Sequence, residues 1–417
     1  MDAVRIKESE VAASEALAGD PQSALVIAIG KAYHQAGVGS DQLEDLMDTT
    51  ARAVGLEMQV TALPTSITAA LGPGHAQKVV LLRLQPGEID LRRLALLDGV
   101  FEGVVHHEIA TPLAIAEIQR IGELRHAARP VLALVAYCAL SFGASIILGG
   151  HVHEQIAAAI VGLAVGVVSI MARQSPTIAR LFEVLAAFAA TGIVSLYATF
   201  VHPLNVYVPI VAGVVQLLPG LQLTLALHEL AYRNLVAGTA RLGGVLMTLL
   251  SLGCGFALGI AVLGPGQFHV DGVFATAIPW YLLAIGVGCI AGAISILENA
   301  RPIDVPLVLG SCGIAEIAYR LFAMLPGHQV ATFGAALVVG VVTSIGGRLA
   351  KVPQAVLLVP GLLILVPGSL SYESILFSVQ SNTADAAGIG INSVFAAVEI
   401  VAGLLLAQLF IAPTHRH

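Results

Sequence analysis

The pattern of apolar and polar positions changes once along the chain, near residue 130. Before it, apolar residues recur at helical or alternating spacing within polar sequence. SALVIAIGKAYHQAG (23–37) and GSDQLEDLMDTTARAVGL (39–56) read as amphipathic helices, the second with Ser40 and Asp41 as N-cap candidates. LEMQVTA, TSITAAL and KVVLLRL read as strands, separated by Pro64 and by the Gly-Pro-Gly turn at 72–74. IDLRRLALLDGVFEGVV (89–105) and ATPLAIAEIQRIGE (110–123) read as two further helices. Residues 1–129 therefore predict a small N-terminal α+β soluble domain.

From Pro130 onward the text is apolar almost throughout. Candidate spans fall at 130–149, 152–171, 179–201, 204–219, 236–262, 276–297, 302–323, 328–347, 354–378 and 389–411. Most approach the roughly 20 residues needed to cross a bilayer core; the fourth is short and the ninth is interrupted by prolines. Residues 220–235 are more polar and read as an interfacial extension of the fourth span.

Positive charge sets the orientation. Arg120, Arg125 and Arg129 precede the first span. Arg173 and Arg180, Arg233 and Arg241, Arg301, then Arg348 and Lys351 occupy every second connection, and Arg416 follows the tenth span. The alternate connections carry no lysine or arginine. Both termini are expected in the cytoplasm, with the chain in a bacterial inner membrane. The opening MDAVRIKESE is polar, so insertion is expected to depend on the later helices.

Composition agrees. Of the 417 residues, 57% are hydrophobic and 11% charged, against about 25% charged in soluble proteins. Residues 1–130 hold 17 of the 27 acids and 11 of the 20 bases. The net charge of −7 argues against a nucleic-acid partner. Cys138, Cys254, Cys289 and Cys312 lie in apolar runs and read as small buried hydrophobes.

An internal similarity appears at an offset of 148 residues. ATGIVSLYATFVHPLNVYVPIVAGVVQLLPG (190–220) aligns without gaps to VVGVVTSIGGRLAKVPQAVLLVPGLLILVPG (338–368). It pairs Gly192 with Gly340, Gly213 with Gly361 and Pro219-Gly220 with Pro367-Gly368; further on, Gly255 matches Gly403. Spans three to five thus correspond to eight to ten. Units of five spans (130–262 and 276–412) would enter the bilayer from opposite sides, as inverted repeats in a transporter do. Chance similarity between Gly/Val-rich strings is the competing account.

The paired Pro-Gly breaks are the first candidates for chemistry. Proline removes a backbone donor, and a broken helix in lipid is tolerated beside a cavity or another protein surface. Gln216, Pro219, Gly220, Pro367, Gly368, Ser369 and Glu373 are therefore candidate substrate-binding residues, with Arg320 as a basic group inside the spans. A kink serving packing alone is the alternative. Glu399, near the middle of span ten, is the first candidate for proton coupling and Glu316 the second; Glu316 and Arg320 stand one turn apart and can form a structural pair. Glu154, Glu183 and Glu298 read as solvated acids at span ends. His151, His153 and Glu154, and His106, His107 and Glu108, are short clusters without enough ligands for a metal site. No catalytic motif, metal site or cofactor-binding fingerprint is found.

The chain resembles the threonine/serine exporter family from about Ala24 to Ala407. The stretches that carry the likeness are AYHQAGVGSDQLEDLMDTTARAVGLEMQVTALPTSI, GEIDLRRL (87–94), QLLPGLQLTLALHELAYRNLVAGTARL (216–242) and KVPQAVLLVPGLLILVPGSLSYESI (351–375). The resemblance implies a cytoplasmic domain joined to ten spans, and export of small hydroxy amino acids driven by the proton-motive force. A split, two-chain branch of the family is associated with dicarboxylate export.

The expectation is a polytopic α-helical membrane protein that is not an enzyme, acting on a small solute with protons as partners. Dicarboxylate export is the alternative. A membrane-anchored enzyme or sensor working through residues 1–129 is a third reading.

Overall fold

A computed structural model describes residues 20–74, 77–85, 87–124, 130–263, 278–326, 328–365 and 383–410. The chain divides into two compact units. The first comprises Met1–His126, Leu225–Arg241 and Lys351–Val356; the second comprises the remainder.

The first unit holds the expected α+β domain. Its elements are α1 (Pro21–Gln35), α2 (Ser40–Ala53), β1 (Met58–Leu63), β2 (Ser66–Leu71), β3 (Lys78–Arg83), α3 (Leu91–Val105) and α4 (Thr111–Gly122). The strands form an antiparallel sheet in the order β1-β2-β3, with Val60 opposite Ala69 and Ala69 opposite Val80. Alternation puts Ile67, Ala69, Leu71, Val80 and Leu82 on the buried face. They share a core with Leu25, Ile29, Leu43, Met47, Leu91 and Leu97. Asp20 caps α1 and Asp90 caps α3 by accepting backbone N–H groups of the first turn. Gly87 opens the GEIDLRRL stretch because a Cβ there would lie 2.0 Å from the Gln35 carbonyl oxygen. No other residue fits so close to that backbone.

The second unit is helical. After α5 (Pro130–Ile147) and α6 (Val152–Gln174) come the short α7 (Pro176–Arg180), then α8 (Phe182–Phe200) and α9 (Tyr207–Gly213). Next are α10 (Gly220–Ala231) and α11 (Leu235–Leu263), whose ends nearest each other belong to the first unit. The order closes with α12 (Trp280–Leu297), α13 (Val305–Phe322), α14 (His328–Ala350), α15 (Gln354–Leu365) and α16 (Thr383–Phe410). Among the described residues, seven helices are long and apolar enough to cross a membrane, or eight if the bent α9–α10 pair is one span. Ten spans were expected; α9 and α15 are too short by themselves, and residues 366–382 of the ninth lie outside the described residues.

Large apolar side chains cover the outside of this unit. Ile156, Ile160, Leu163, Val167 and Met171 are exposed at helical spacing along α6, and Leu246, Met247 and Leu250 are exposed on α11. Water would not tolerate such faces; lipid does. Trp280 and Tyr281 open α12 exposed, as aromatic side chains at a membrane interface do.

Glycines set the closest helix contacts. A Cβ on Gly143 of α5 would lie 2.6 Å from the carbonyl oxygen of Gly286 on α12, and one on Gly286 would lie 3.3 Å from that of Gly143. At Gly255 of α11 a Cβ would strike the Val184 carbonyl oxygen of α8 at 2.2 Å; at Gly403 of α16 it would strike that of Phe333 of α14 at 2.6 Å. Small residues allow helix backbones this near in lipid.

The ends of α5 and α12 match. Gly150 N–H donates to Ser145 O and Ala300 N–H to Ser295 O, both at 2.8 Å. Gly149 and Asn299, 150 positions apart, take positive φ of 80° and 55° at the same place in the cap. One difference stands out between the paired segments. α9 stops at Gly213, whereas α15 continues through Pro360 and Gly361 to Leu365.

Candidate functional site: the broken fourth span

The helix pair α9–α10, on the predicted fourth span, breaks where its prolines and glycines predict. α9 is buried along its length. Its start is tied down: Asn205 Oδ1 accepts from Tyr207 N–H at 3.0 Å, and Asn205 N–H donates to Glu154 Oε1 at 3.1 Å. After Gly213 the backbone passes through a 3₁₀ turn at Val215–Leu217, and Leu218 is extended. Pro219 supplies no N–H to continue the helix, and α10 starts at Gly220. The two halves are bent by 57°.

A break strands backbone carbonyls, and neighbouring side chains take them up. Ser141 Oγ of α5 donates to Gly213 O at 3.4 Å. Gln216 projects from the 3₁₀ turn and donates from Nε2 to Glu298 Oε1, at the end of α12, at 3.1 Å. The hydroxyls of Ser145 on α5 and Thr224 on α10 are buried with no hydrogen-bond partner among the described residues. Pro219, Gly220 and Gln216 thus form the break, while Pro367, Gly368, Ser369 and Glu373 lie outside the described residues.

Arg320 Nε donates to Glu316 Oε1 at 2.6 Å within α13, and Glu316 is buried. That is the structural pair the spacing suggested. Tyr319 of α13 lies within electrostatic range of Glu316, Arg320 and Glu399, so both proton-coupling candidates share a neighbour.

A cavity of 150 Å³ opens among α13, α14 and α15, lined by Leu307, Ser311, Ile314, Val342, Thr343 and Leu357 among others. Among the described residues no charged side chain lines it. Ser311 Oγ already donates to Leu357 O and Thr343 Oγ1 to Gly340 O. It offers nothing to an ammonium or carboxylate group.

Glu154 was expected to be solvated and is not. It is 7% exposed, caps α6 by accepting the His151 N–H, and holds Asn205 with its other oxygen. The neighbouring His153 hydrogen-bonds Tyr197 Oη through Nδ1 at 3.1 Å and stacks on His202 at 4.0 Å. Among the described residues no group of three or more His, Cys, Asp or Glu side chains is arranged to hold a metal ion.

A buried polar cluster in the first unit has no local signal in the sequence. Glu229, on α10, is 1% exposed. Its Oε1 accepts the Ser40 backbone N–H at 3.0 Å and Arg241 Nη2 at 2.8 Å, and its Oε2 accepts Arg241 Nε at 3.1 Å. One residue earlier, His228 Nδ1 lies 3.3 Å from Asp41 Oδ2. Burial works to raise the Asp41 pKa, but the hydrogen bond and charge of His228, with nearby backbone N–H groups, outweigh it and leave it lowered. Glu44 donates no proton here; it accepts the Ala62 N–H at 2.7 Å. Burial raises its pKa, with the acids Asp41, Asp45 and Glu229 adding to the effect against that hydrogen bond. The cap of α2 also differs from expectation. Gly39 is the N-cap, with no capping side chain, and Glu229 satisfies the first amide instead.

Two family models together match most of the chain. That for "Putative threonine/serine exporter" covers residues 24–263, and that for "Threonine/Serine exporter, ThrE" covers 283–410. The chain belongs to the threonine/serine exporter family. The AYHQAGVGSDQLEDLM and HELAYRNLVAGTARL stretches that carried the family likeness are the segments joined at Glu229. Among curated relatives, the pheromone-regulated membrane protein 10 of Kluyveromyces lactis is 25% identical, over 93% of this chain and 43% of its own length. That of Eremothecium gossypii is also 25% identical, over 93% of this chain and 54% of its own. The chain spans about half the length of these relatives. No solved structure matches.

Proposed function

We propose that this exporter-family chain is a secondary active transporter that exports threonine and serine, driven by the proton-motive force. The observation that carries the reading is the bent fourth span, whose 3₁₀ turn sends Gln216 to Glu298. In transporters a discontinuous helix near the repeat interface marks the solute path. Freed backbone groups there can replace water around a carboxylate or hydroxyl.

The inverted repeat has support beyond the alignment. Gly255 and Gly403, matched in sequence, make the same kind of contact on the helices three and two before their own, α8 and α14. The caps of α5 and α12 agree bond for bond. Leu225–Arg241 and Lys351–Val356, both beside basic connections, group with the N-terminal domain. That grouping favours a cytoplasmic position for all three, in a plasma membrane of bacterial type with both termini inside.

Arg320 bears on the substrate. A dicarboxylate needs two cationic partners, and this guanidinium is already committed to Glu316. A zwitterion carrying a hydroxyl is the better fit. The test is efflux from proteoliposomes preloaded with labelled threonine, serine or succinate, with and without an imposed pH gradient. Gradient-dependent efflux of threonine and serine supports the reading; efflux of succinate alone sinks it. Deleting residues 1–120 tests the enzyme or sensor alternative, which requires soluble activity in the excised part.

A further inference from the structure

We propose that Glu229 is a positioning residue that seats the N-terminal domain on α10, the helix that follows the break, and that transport depends on that seat. The proposal rests on the transport reading above for its consequence, though not for the contact itself.

The contact is built, not incidental. Both oxygens of Glu229 are used, and the carboxylate is 1% exposed. It joins three helices: α10, which carries it; α11, through the two-point grip of Arg241; and α2, through the Ser40 amide. Arg241 is itself 12% exposed. A planar guanidinium matched to both oxygens of a carboxylate fixes orientation as well as distance. The Ser40 amide is one that a helix of this kind must have satisfied from outside, and Gly39 has no side chain to do so.

A second pair runs in register with the first. His228 and Glu229 on α10 meet Asp41 and Ser40 on α2, neighbour against neighbour. Two adjacent contacts define a rotation that a single one would leave free. His34 belongs to the same neighbourhood, within electrostatic range of Arg241 and bonded through Nε2 to Pro64 O at 3.1 Å. The β1–β2 turn is thereby drawn in as well.

The seat is connected to the break by unbroken helix. α10 begins at Gly220, next to Pro219, and runs to Ala231. From Gly220 to Glu229 it advances about 14 Å at 1.5 Å per residue. A rigid element of that length transmits a rotation at one end to the other. Releasing the seat would take the Ser40 amide from the buried Glu229 carboxylate and part His228 from Asp41, which disfavours detachment. The seat and the break thus lie at the two ends of one continuous helix, α10.

Hydrogen–deuterium exchange on the full chain in nanodiscs tests the seat. Glu229→Gln keeps the shape and an acceptor but removes the charge; Glu57→Gln, at an exposed acid of the same domain, is the control. Faster exchange at 39–43 and 220–231 in Glu229→Gln, with unchanged exchange in the 58–83 sheet, is the expected result. Unchanged exchange at 220–231 overturns the proposal, and loss of protection in the sheet as well reduces Glu229 to a folding residue, which overturns it too. In proteoliposomes the maximal rate of threonine counterflow should fall severalfold while its half-saturating concentration stays the same. No fall, or parallel change in both, overturns the coupling. If the wild-type protein moves neither threonine nor serine, the substrate reading fails, and the exchange data alone decide the seat.

Discussion

Arg320 donates to the buried Glu316 from one helical turn away, at 2.6 Å. A carboxylate in that position is tolerated because the guanidinium is there. Removing one partner leaves the other charge uncompensated, whereas removing both does not. Arg320→Gln should lower stability by about 1–2 kcal/mol, a figure reduced because the side chain is partly exposed. Glu316→Gln combined with Arg320→Gln should recover most of that loss. Thermal unfolding of the four proteins in one detergent closes the cycle; strict additivity would mean the pair contributes nothing.

Glu399 shares a neighbour, Tyr319, with that pair. Glu399→Gln is expected to abolish flux driven by a pH gradient while leaving substrate counterflow in the absence of a gradient. Gradient-driven flux at the wild-type rate would remove Glu399 from the coupling mechanism.

Gly255 and Gly403 each face a backbone carbonyl that no Cβ can clear. Gly255→Val and Gly403→Val should both cost about 1–3 kcal/mol or more through overpacking. Fluorescence-detected size-exclusion profiles should lose the monodisperse peak in both. A normal profile for either would mean that its pair of helices can separate without penalty.

His34 is buried, and burial, the largest influence on it, lowers its pKa from the ordinary histidine value despite the hydrogen bonds its ring makes to the backbone at Leu63 and Pro64. Folded, it resists protonation; unfolded, it does not. Between the lowered value and about 6.5 the unfolded chain binds the extra proton, so stability falls as pH falls through that window. Protection factors in the N-terminal domain, which correct exchange rates for the intrinsic slowing of amide exchange in acid, should fall from pH 7 to pH 5, and His34→Gln should flatten that dependence. The lowered pKa of Asp41 acts further down: its contribution persists above the ordinary carboxylate range and is lost only below it.

Phe200 and Ala350 are both exposed, at the ends of α8 and α14. In a background without the four native cysteines, Phe200→Cys and Ala350→Cys should react with an impermeant thiol reagent from opposite sides of a sealed vesicle. Labelling of both from one side would dissolve the antiparallel pairing of the two halves.

Local signals were legible in the sequence and distant partners were not. The strands, their turn at Pro64 and the helices on either side follow from alternation, helical spacing and proline chemistry, and the structure has each of them. The break at Pro219 was equally readable, because a missing N–H is a property of one residue. The burial of Glu154 was hidden because the amide it holds, on Asn205, is 51 positions away. Ser40 looked like a cap by composition, yet its own amide is satisfied by Glu229, 189 positions away. On the predicted fourth span, glycine and proline divide the helix and leave α9 short by itself; residues 366–382 of the ninth lie outside the described residues.

α9 ends at Gly213, while its counterpart α15 carries on four residues past Gly361. If the halves are related by a two-fold axis in the plane of the bilayer, one sequence pattern is held in two shapes at once. Exchanging those shapes between the halves would generate a second conformer of the same energy class, opening toward the opposite compartment, without any new fold being required. The coordinates then depict a single station of a two-station cycle.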